Sequence, residues 1–373
     1  MGTRPEAIKM APVVEGLDGW RPLVETRLAL TGQHTELVDR VLDAFGLVPD
    51  YDLGIMREGQ SLYDVAHECL DGLRDVMRDF GPDMVLVQGD TASVFFGSLV
   101  AFFEGTAVGH VEAGLRSGDK RAPFPEEMFR RLTDVLSDVY FAPTPGAREK
   151  LLAEGVPGSR IHVTGNTVVD ALRTMAAKAP RPHDAKTRAL LESDAPLVLL
   201  TAHRRESFGE PLARVFRAVR ELAEEEEIQV LYPVHPNPRV RGPAREILSG
   251  HPRIHLVDPL AYGDLISVLA RASLVLTDSG GIQEEAPTFG VPVLVLREVT
   301  ERPEGVEAGV ARLVGTDPGA ILAGARQILA AGEEGRKGGS NPYGDGRAGT
   351  RIADIVGASL TVRPRETSDW DGS

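Results

Sequence analysis

The chain has one cysteine in 373 residues, Cys69, so no intrachain disulfide can form and a disulfide-stapled secreted scaffold is excluded. No apolar run reaches the roughly 18 residues that cross a bilayer, and the first residues lack the basic-then-apolar order of a secretory signal. Positive charge is short: 41 Lys and Arg stand against 55 Asp and Glu, a net charge of -14. A nucleic-acid backbone would meet a repulsive average field, so neither DNA nor RNA is expected as a partner. Metal spacing is lacking too, with no His-Glu-x-x-His, no acidic ladder, and His34, His110, His203 and His235 scattered. These absences predict a cytoplasmic, metal-independent protein with no membrane partner. The 42% hydrophobic and 26% charged residues fit a soluble globular chain and exclude a disordered or fibrous one.

What is present is a recurrence of short apolar runs at 23–30, 84–87, 107–111, 139–142, 161–163, 197–200, 228–232, 254–257, 274–276 and 292–296. Each ends in small or polar residues and leads into a segment of helical period. Val215, Phe216, Val219 and Leu222, for example, lie on one helix face. Strand then helix, repeated, predicts an α/β fold with parallel sheets covered on both faces. The stretch 178–196, with Pro180, Pro182 and Pro196, divides the strands about equally and reads as a linker. The expectation is therefore two Rossmann-like domains, 1–177 and 197–362, with a frayed polar tail at 363–373. Chemistry in such folds collects outside the carboxyl ends of the strands, and two facing sheets make a cleft.

The residues at those strand ends carry the chemistry. After the run 274–276 comes Thr277-Asp278-Ser279-Gly280-Gly281-Ile282-Gln283-Glu284-Glu285, where two glycines and a serine open a helix. This is either a tight capped turn or an anion site made of backbone N–H groups. A carboxylate one turn in, such as Glu285, could accept both hydroxyls of a ribose or simply compensate the helix dipole. Gly2-Thr3-Arg4-Pro5-Glu6-Ala7-Ile8-Lys9 has a similar form, with the cations Arg4 and Lys9 near a helix start. His203-Arg204-Arg205-Glu206 follows the run 197–200, and an imidazole among guanidinium groups suits a departing diphosphate. Asp90, Glu112 and Glu126 each end a strand or open a helix. Asp90 fits a helix N-cap and Glu126 a first-turn acid as well as a catalytic role, whereas Glu112, between an apolar strand and Ala-Gly, has the poorer structural explanation.

Taken in order, GTRPEAIKMAP, TGQH, QGDT, GHVEAGLR, FPEE, GNTVVDAL, HRRESFG, YPVHPNP, TDSGGIQEEAP, TERPE and NPYGDG resemble the bacterial non-hydrolysing UDP-N-acetylglucosamine 2-epimerases, from Gly2 to about residue 356. The resemblance implies a glycosyltransferase-B type of fold, two Rossmann-like domains with parallel sheets facing across a cleft. It implies interconversion of UDP-GlcNAc and UDP-ManNAc without metal or nicotinamide, for polysaccharide precursor supply, by a homodimer. Position by position, Asp90, Glu112, Glu126 and His203 match the family's catalytic set, and Arg4 and Lys9 match cations near the diphosphate. Ser279, Gly280 and Glu285, with the adjoining Gly281, match phosphate and ribose contacts, and Arg302 matches a further ligand contact. Gln33, Glu36, Arg204 and His235 match a second UDP-GlcNAc site at which many members bind an activator.

The family also has an apolar strand before the GTRPE motif, so a strand supplied from upstream of Met1 is expected. The alternatives are a glycosyltransferase of the same fold, a hydrolysing epimerase releasing ManNAc, and a non-catalytic sugar-nucleotide binder. The three acids together argue against the last, since a pure binder has no use for them.

Overall fold

The computed structural model describes residues 1–32, 36–55, 57, 59–178, 182, 184–335 and 341–372. The chain divides into two compact units, Met1–Ala171 with Tyr343–Ser373, and Leu172–Pro342. In the first, β1 (Ala29–Leu30) pairs with β2 (Tyr51–Asp52), while β3 (Met84–Gln88), β4 (Ala107–Val111), β5 (Val139–Ala142) and β6 (Ile161–Val163) form a four-stranded sheet in that spatial order. In the second, β7 (Leu197–Thr201), β8 (Gln229–Pro233), β9 (Ile254–Val257), β10 (Leu274–Thr277), β11 (Val293–Val295) and β12 (Ala311–Leu313) form one sheet ordered β12-β11-β10-β7-β8-β9. Every pairing among these strands is parallel. The apolar runs from 84–87 onward are all strands.

Why these runs are unbroken is visible in β7. Val198 and Leu200 face one core with Phe216 and Val219 of the helix Glu210–Glu225, while Leu197 and Leu199 face the opposite core with Val268 and Leu269. A strand covered on both faces has no polar face to alternate with.

Four expectations are corrected. The run 23–30 opens in a turn, where Leu23 and Val24 donate their N–H groups back to the Trp20 carbonyl and Leu23 is 51% exposed, and then has no regular structure through Leu28, leaving only Ala29–Leu30 as strand. The linker 178–196 contains a helix, Ala185–Leu191, capped by Asp184 accepting from the Thr187 N–H at 2.7 Å. The helix Ala348–Leu360 belongs with the first unit, not the second. It packs on the helix Arg4–Asp18 so closely that a Cβ on Gly349 would lie 2.5 Å from the Pro12 carbonyl oxygen, and Asp170 accepts its Gly349 N–H at 2.8 Å. The tail is anchored rather than frayed. Trp370 is 4% exposed and its N–H donates to Val163 at 2.7 Å, past the end of the sheet at β6, because a large ring gains more from burial than the tail loses in entropy.

Between β1 and β3 lies an apolar cavity of about 200 Å³, lined by Met1, Leu28, Met77, Leu86, Val87 and Val356 among others. Met1 makes one parallel ladder step at its edge, its α-ammonium donating to the Ala29 carbonyl at 2.8 Å and its own carbonyl accepting from Thr31 at 2.9 Å. Burial pushes that ammonium below its ordinary pKa.

Candidate active site

In the first unit β3 and β4 are paired in register at Gln88 and Val111, and an acid follows each strand end. Glu112 takes a positive φ of 71°, the only such non-glycine among the described residues. That backbone costs about 1 kcal/mol or more and is held by its N–H and that of Ala113 donating to the Phe141 carbonyl at 3.0 and 3.2 Å. The turn presents a largely buried carboxylate to Lys9, whose ammonium donates to Oε1 at 2.8 Å and Oε2 at 2.6 Å, while the Gln88 amide also donates to Oε2. Lys9 thus pairs with Glu112, a contact that the sequence pattern does not foretell. Arg4 opens the same helix, Arg4–Asp18, with Thr3 as its cap.

Asp90 is not the expected helix cap, because Thr91 holds that position. Its Oδ2 instead accepts from Arg130 of the helix Glu126–Leu136, and Arg130 also donates to Glu127 at 3.1 Å. Glu127, fully buried, accepts from the Ser117 N–H at 3.0 Å as well. Glu126 sits at the start of the helix, as a first-turn acid should, yet its buried Oε2 has no hydrogen-bond partner among the described residues. Beneath them His110, fully buried, uses one ring nitrogen on Asp134 at 2.6 Å and the other on the Gly89 carbonyl at 2.8 Å, which pins the turn that carries Asp90.

In the second unit β7 and β10 are neighbours although β8 and β9 intervene in sequence. Crossovers leave such a switch point in opposite directions, and the crevice between the two strand ends is where a doubly wound sheet binds ligands. The chain places Ala202-His203-Arg204 after β7 and Asp278-Ser279-Gly280-Gly281 after β10. Asp278, 1% exposed, accepts the N–H groups of His203 and Arg204 on Oδ2 at 2.7 and 2.8 Å. The His235 ring stacks on that of His203, centroids 5.3 Å apart and planes 5° from parallel. Burial pushes the His203 imidazole below its ordinary pKa; Asp278 opposes that shift, and His235 and Arg204 reinforce it.

Ser279 caps the helix Gly280–Glu285, and its N–H donates to the Thr277 hydroxyl at 2.9 Å. A Cβ on Gly280 would stand 3.2 Å from the Arg302 guanidinium carbon, so glycine is what lets Arg302 approach this turn. Arg302 donates to Glu284 at 2.8 Å and lies 3.2 Å from Glu301. Burial alone would raise the Glu301 carboxyl, but Arg302 and Arg297 hold it down at about 2. Arg204 reaches Glu301 at 3.4 Å. Of the expected activator set, Arg204 and His235 therefore sit beside His203, Gln33 lies outside the described residues, and so does the side chain of Glu36. The sequence reading missed Gln88, Arg130 and Asp278. Gln88 and Asp278 were quoted within motifs, while Arg130 carries no motif of its own and is marked only by its i+3 spacing from Glu127.

The family model described as UDP-N-acetylglucosamine 2-epimerase matches residues 20–357. The chain belongs to the UDP-N-acetylglucosamine 2-epimerase family. A UDP-N-acetylglucosamine 2-epimerase from Bacillus subtilis is 48% identical over 376 residues, covering 100% of this chain and 97% of the relative. One from Escherichia coli K12 is 46% identical over 363 residues, covering 95% and 96%. The crystal structure of a UDP-GlcNAc 2-epimerase from Neisseria meningitidis bound to UDP-GlcNAc superposes with a TM-score of 0.86 at 41% identity, covering 95% of this chain and 97% of that one. As a member of this epimerase family the chain is an isomerase of the non-hydrolysing type. Its fold is the family's glycosyltransferase-B type, built here from parallel sheets. Among the described residues no helix is long and apolar enough to cross a membrane.

Proposed function

We propose that the chain interconverts UDP-GlcNAc and UDP-ManNAc by eliminating UDP and adding it back, with carboxylates acting as acid and base at C2 and the turn after β10 holding the nucleotide. C2 has no neighbouring carbonyl, so its proton is far too weakly acidic for a carboxylate until the C1–O bond loosens. As that bond breaks, its electron pair leaves with the UDP oxygen and positive charge develops at C1. A carboxylate takes the C2 proton and the C–H pair becomes the C1=C2 bond of 2-acetamidoglucal. Re-addition of UDP with protonation from the opposite face yields the epimer. Arg4, His203 and the Ser279-Gly280-Gly281 turn stabilise the departing diphosphate, Glu285 accepts the ribose hydroxyls, and Arg302 stands beside the turn as a further ligand contact.

The observation that carries this reading is three carboxylates with three different neighbourhoods. Asp90 is paired with Arg130, Glu112 with Lys9 and Gln88, and Glu126 keeps a buried oxygen without a hydrogen-bond partner. Deprotonating C2 on one face and protonating it on the other needs two groups, one unprotonated and one protonated, and a glycosyltransferase needs neither for C2. The product would feed a cell-surface polysaccharide. UDP-GlcNAc incubated with the protein in D2O is expected to give UDP-ManNAc deuterated at C2 by NMR. Protium wholly retained at C2 would exclude elimination.

Arg204 and His235 beside His203 also support a UDP-GlcNAc activator site coupled to catalysis. Initial velocity from pure UDP-ManNAc should then rise through a lag that added UDP-GlcNAc abolishes, and full velocity from the start would count against it.

A further inference from the structure

The loop after β7 is held by a residue that the proposed chemistry does not use. Asp278 is 1% exposed and spends Oδ2 on two backbone N–H groups, those of His203 and Arg204. Its other oxygen, Oδ1, is buried without a hydrogen-bond partner among the described residues and stands 3.5 Å from His203 Nδ1. A buried carboxylate oxygen left unsatisfied costs free energy comparable to a lost hydrogen bond, so its approach to the His203 ring calls for an explanation. The His203 side chain is 40% exposed, and His235 stacks against its face. With Nδ1 directed at Asp278, the nitrogen left for a ligand is Nε2.

We infer that Asp278 is a positioning residue for His203. It fixes the backbone of the β7 loop through Oδ2 and, through Oδ1, selects the imidazole tautomer protonated on Nδ1, with the 3.5 Å gap closing to a hydrogen bond when nucleotide binds. Catalytic contacts that are long without substrate and tighten with it are the common case. A carboxylate behind an imidazole sets which ring nitrogen carries the proton and favours the imidazolium when a second proton arrives at Nε2. With a proton on Nε2 the ring can donate to the departing diphosphate, and Asp278 offsets part of the bias that burial imposes against that charged form. The charged groups facing the ring are Asp278, Arg204 and His235, and only the first favours protonation. This inference rests on His203 serving the leaving diphosphate, but its test does not.

The test is the tautomer itself, read by long-range proton–nitrogen correlation on the full-length protein labelled in histidine, with the His203→Asn spectrum identifying the resonance. Wild type should show Nδ1 protonated and Nε2 bare above the pKa of the ring. Asp278→Asn keeps an oxygen for the two backbone donors but turns an amide N–H toward Nδ1, so the tautomer should invert. Then kcat should fall on the order of 100-fold or more while KM stays within about threefold, since an inverted tautomer spoils the aimed nitrogen rather than substrate binding. A purely structural Asp278 would tolerate Asn with the tautomer and kcat unmoved, and that result overturns the inference. So does a wild-type ring protonated on Nε2, a measurement that needs no variant to fold. Should His203→Asn prove fully active while the tautomer data hold, the role of His203 in turnover fails and its positioning by Asp278 stands.

Discussion

Glu112→Gln is expected to lower kcat by at least about 100-fold, and Glu126→Gln by a similar factor, with UDP affinity nearly unchanged. The amide keeps the shape of each side chain and removes the group that titrates. For Glu112 the expectation rests on how much structure is spent on it: a positive φ of 71°, two hydrogen bonds from the Lys9 ammonium and one from Gln88. A capping or solubilising acid needs none of these. Glu126 rests on the opposite feature, a buried oxygen without a hydrogen-bond partner among the described residues, which can receive a proton. Because Glu112→Gln removes the carboxylate charge with which the Lys9 ammonium, itself only 13% exposed, is paired, some loss of stability accompanies the change. Steady-state kinetics taken well below the melting temperature separates the two effects. Either variant retaining more than about a tenth of wild-type kcat would lose its place in proton transfer.

Arg130→Met should destabilise the fold by about 3 to 5 kcal/mol, the usual consequence of removing one partner from a buried ionic cluster. Arg130 is 8% exposed and joins Asp90 to a Glu127 that is fully buried. Without the guanidinium, Glu127 keeps the Ser117 N–H as its one hydrogen-bond donor among the described residues and loses the cation it is paired with. Adding Glu127→Gln to Arg130→Met should recover much of that loss, since the uncompensated charge is then gone. Urea denaturation of wild type, single and double variants measures this, and a single variant as stable as wild type would mean that the cluster positions Asp90 without holding the fold.

Arg130 also shows where sequence reading stops. Asp90, Glu112 and Glu126 are legible because strand ends and helix starts can be located from apolar periodicity, and an acid at such a place is noticeable. That Arg130 returns to Asp90 across 40 residues is not written in any spacing. Lys9 is the same case in reverse: a cation beside a helix start reads as an anion contact, and only the approach of the turn after β4, 103 residues on, gives it to Glu112. Asp278 stands within the TDSGGIQEEAP motif without a signal of its own, since a buried acid after a strand is ordinarily a cap.

The sequence by itself determined the α/β class, the positions of the strands from 84 onward, the family and the set of acids. Each of these depends on residue type and local order, which a linear chain carries in full: unbroken apolar runs are required wherever a parallel strand is covered on both faces. Only the tertiary structure decided that the chain returns at residue 343 to the unit it left, that the last residues are pinned by Trp370 against Val163, and which cation neutralises which acid. Those outcomes turn on contacts between segments far apart in sequence. Such contacts are chosen by close fit, as where Gly349 meets Pro12, and by the cost of burying any charge alone.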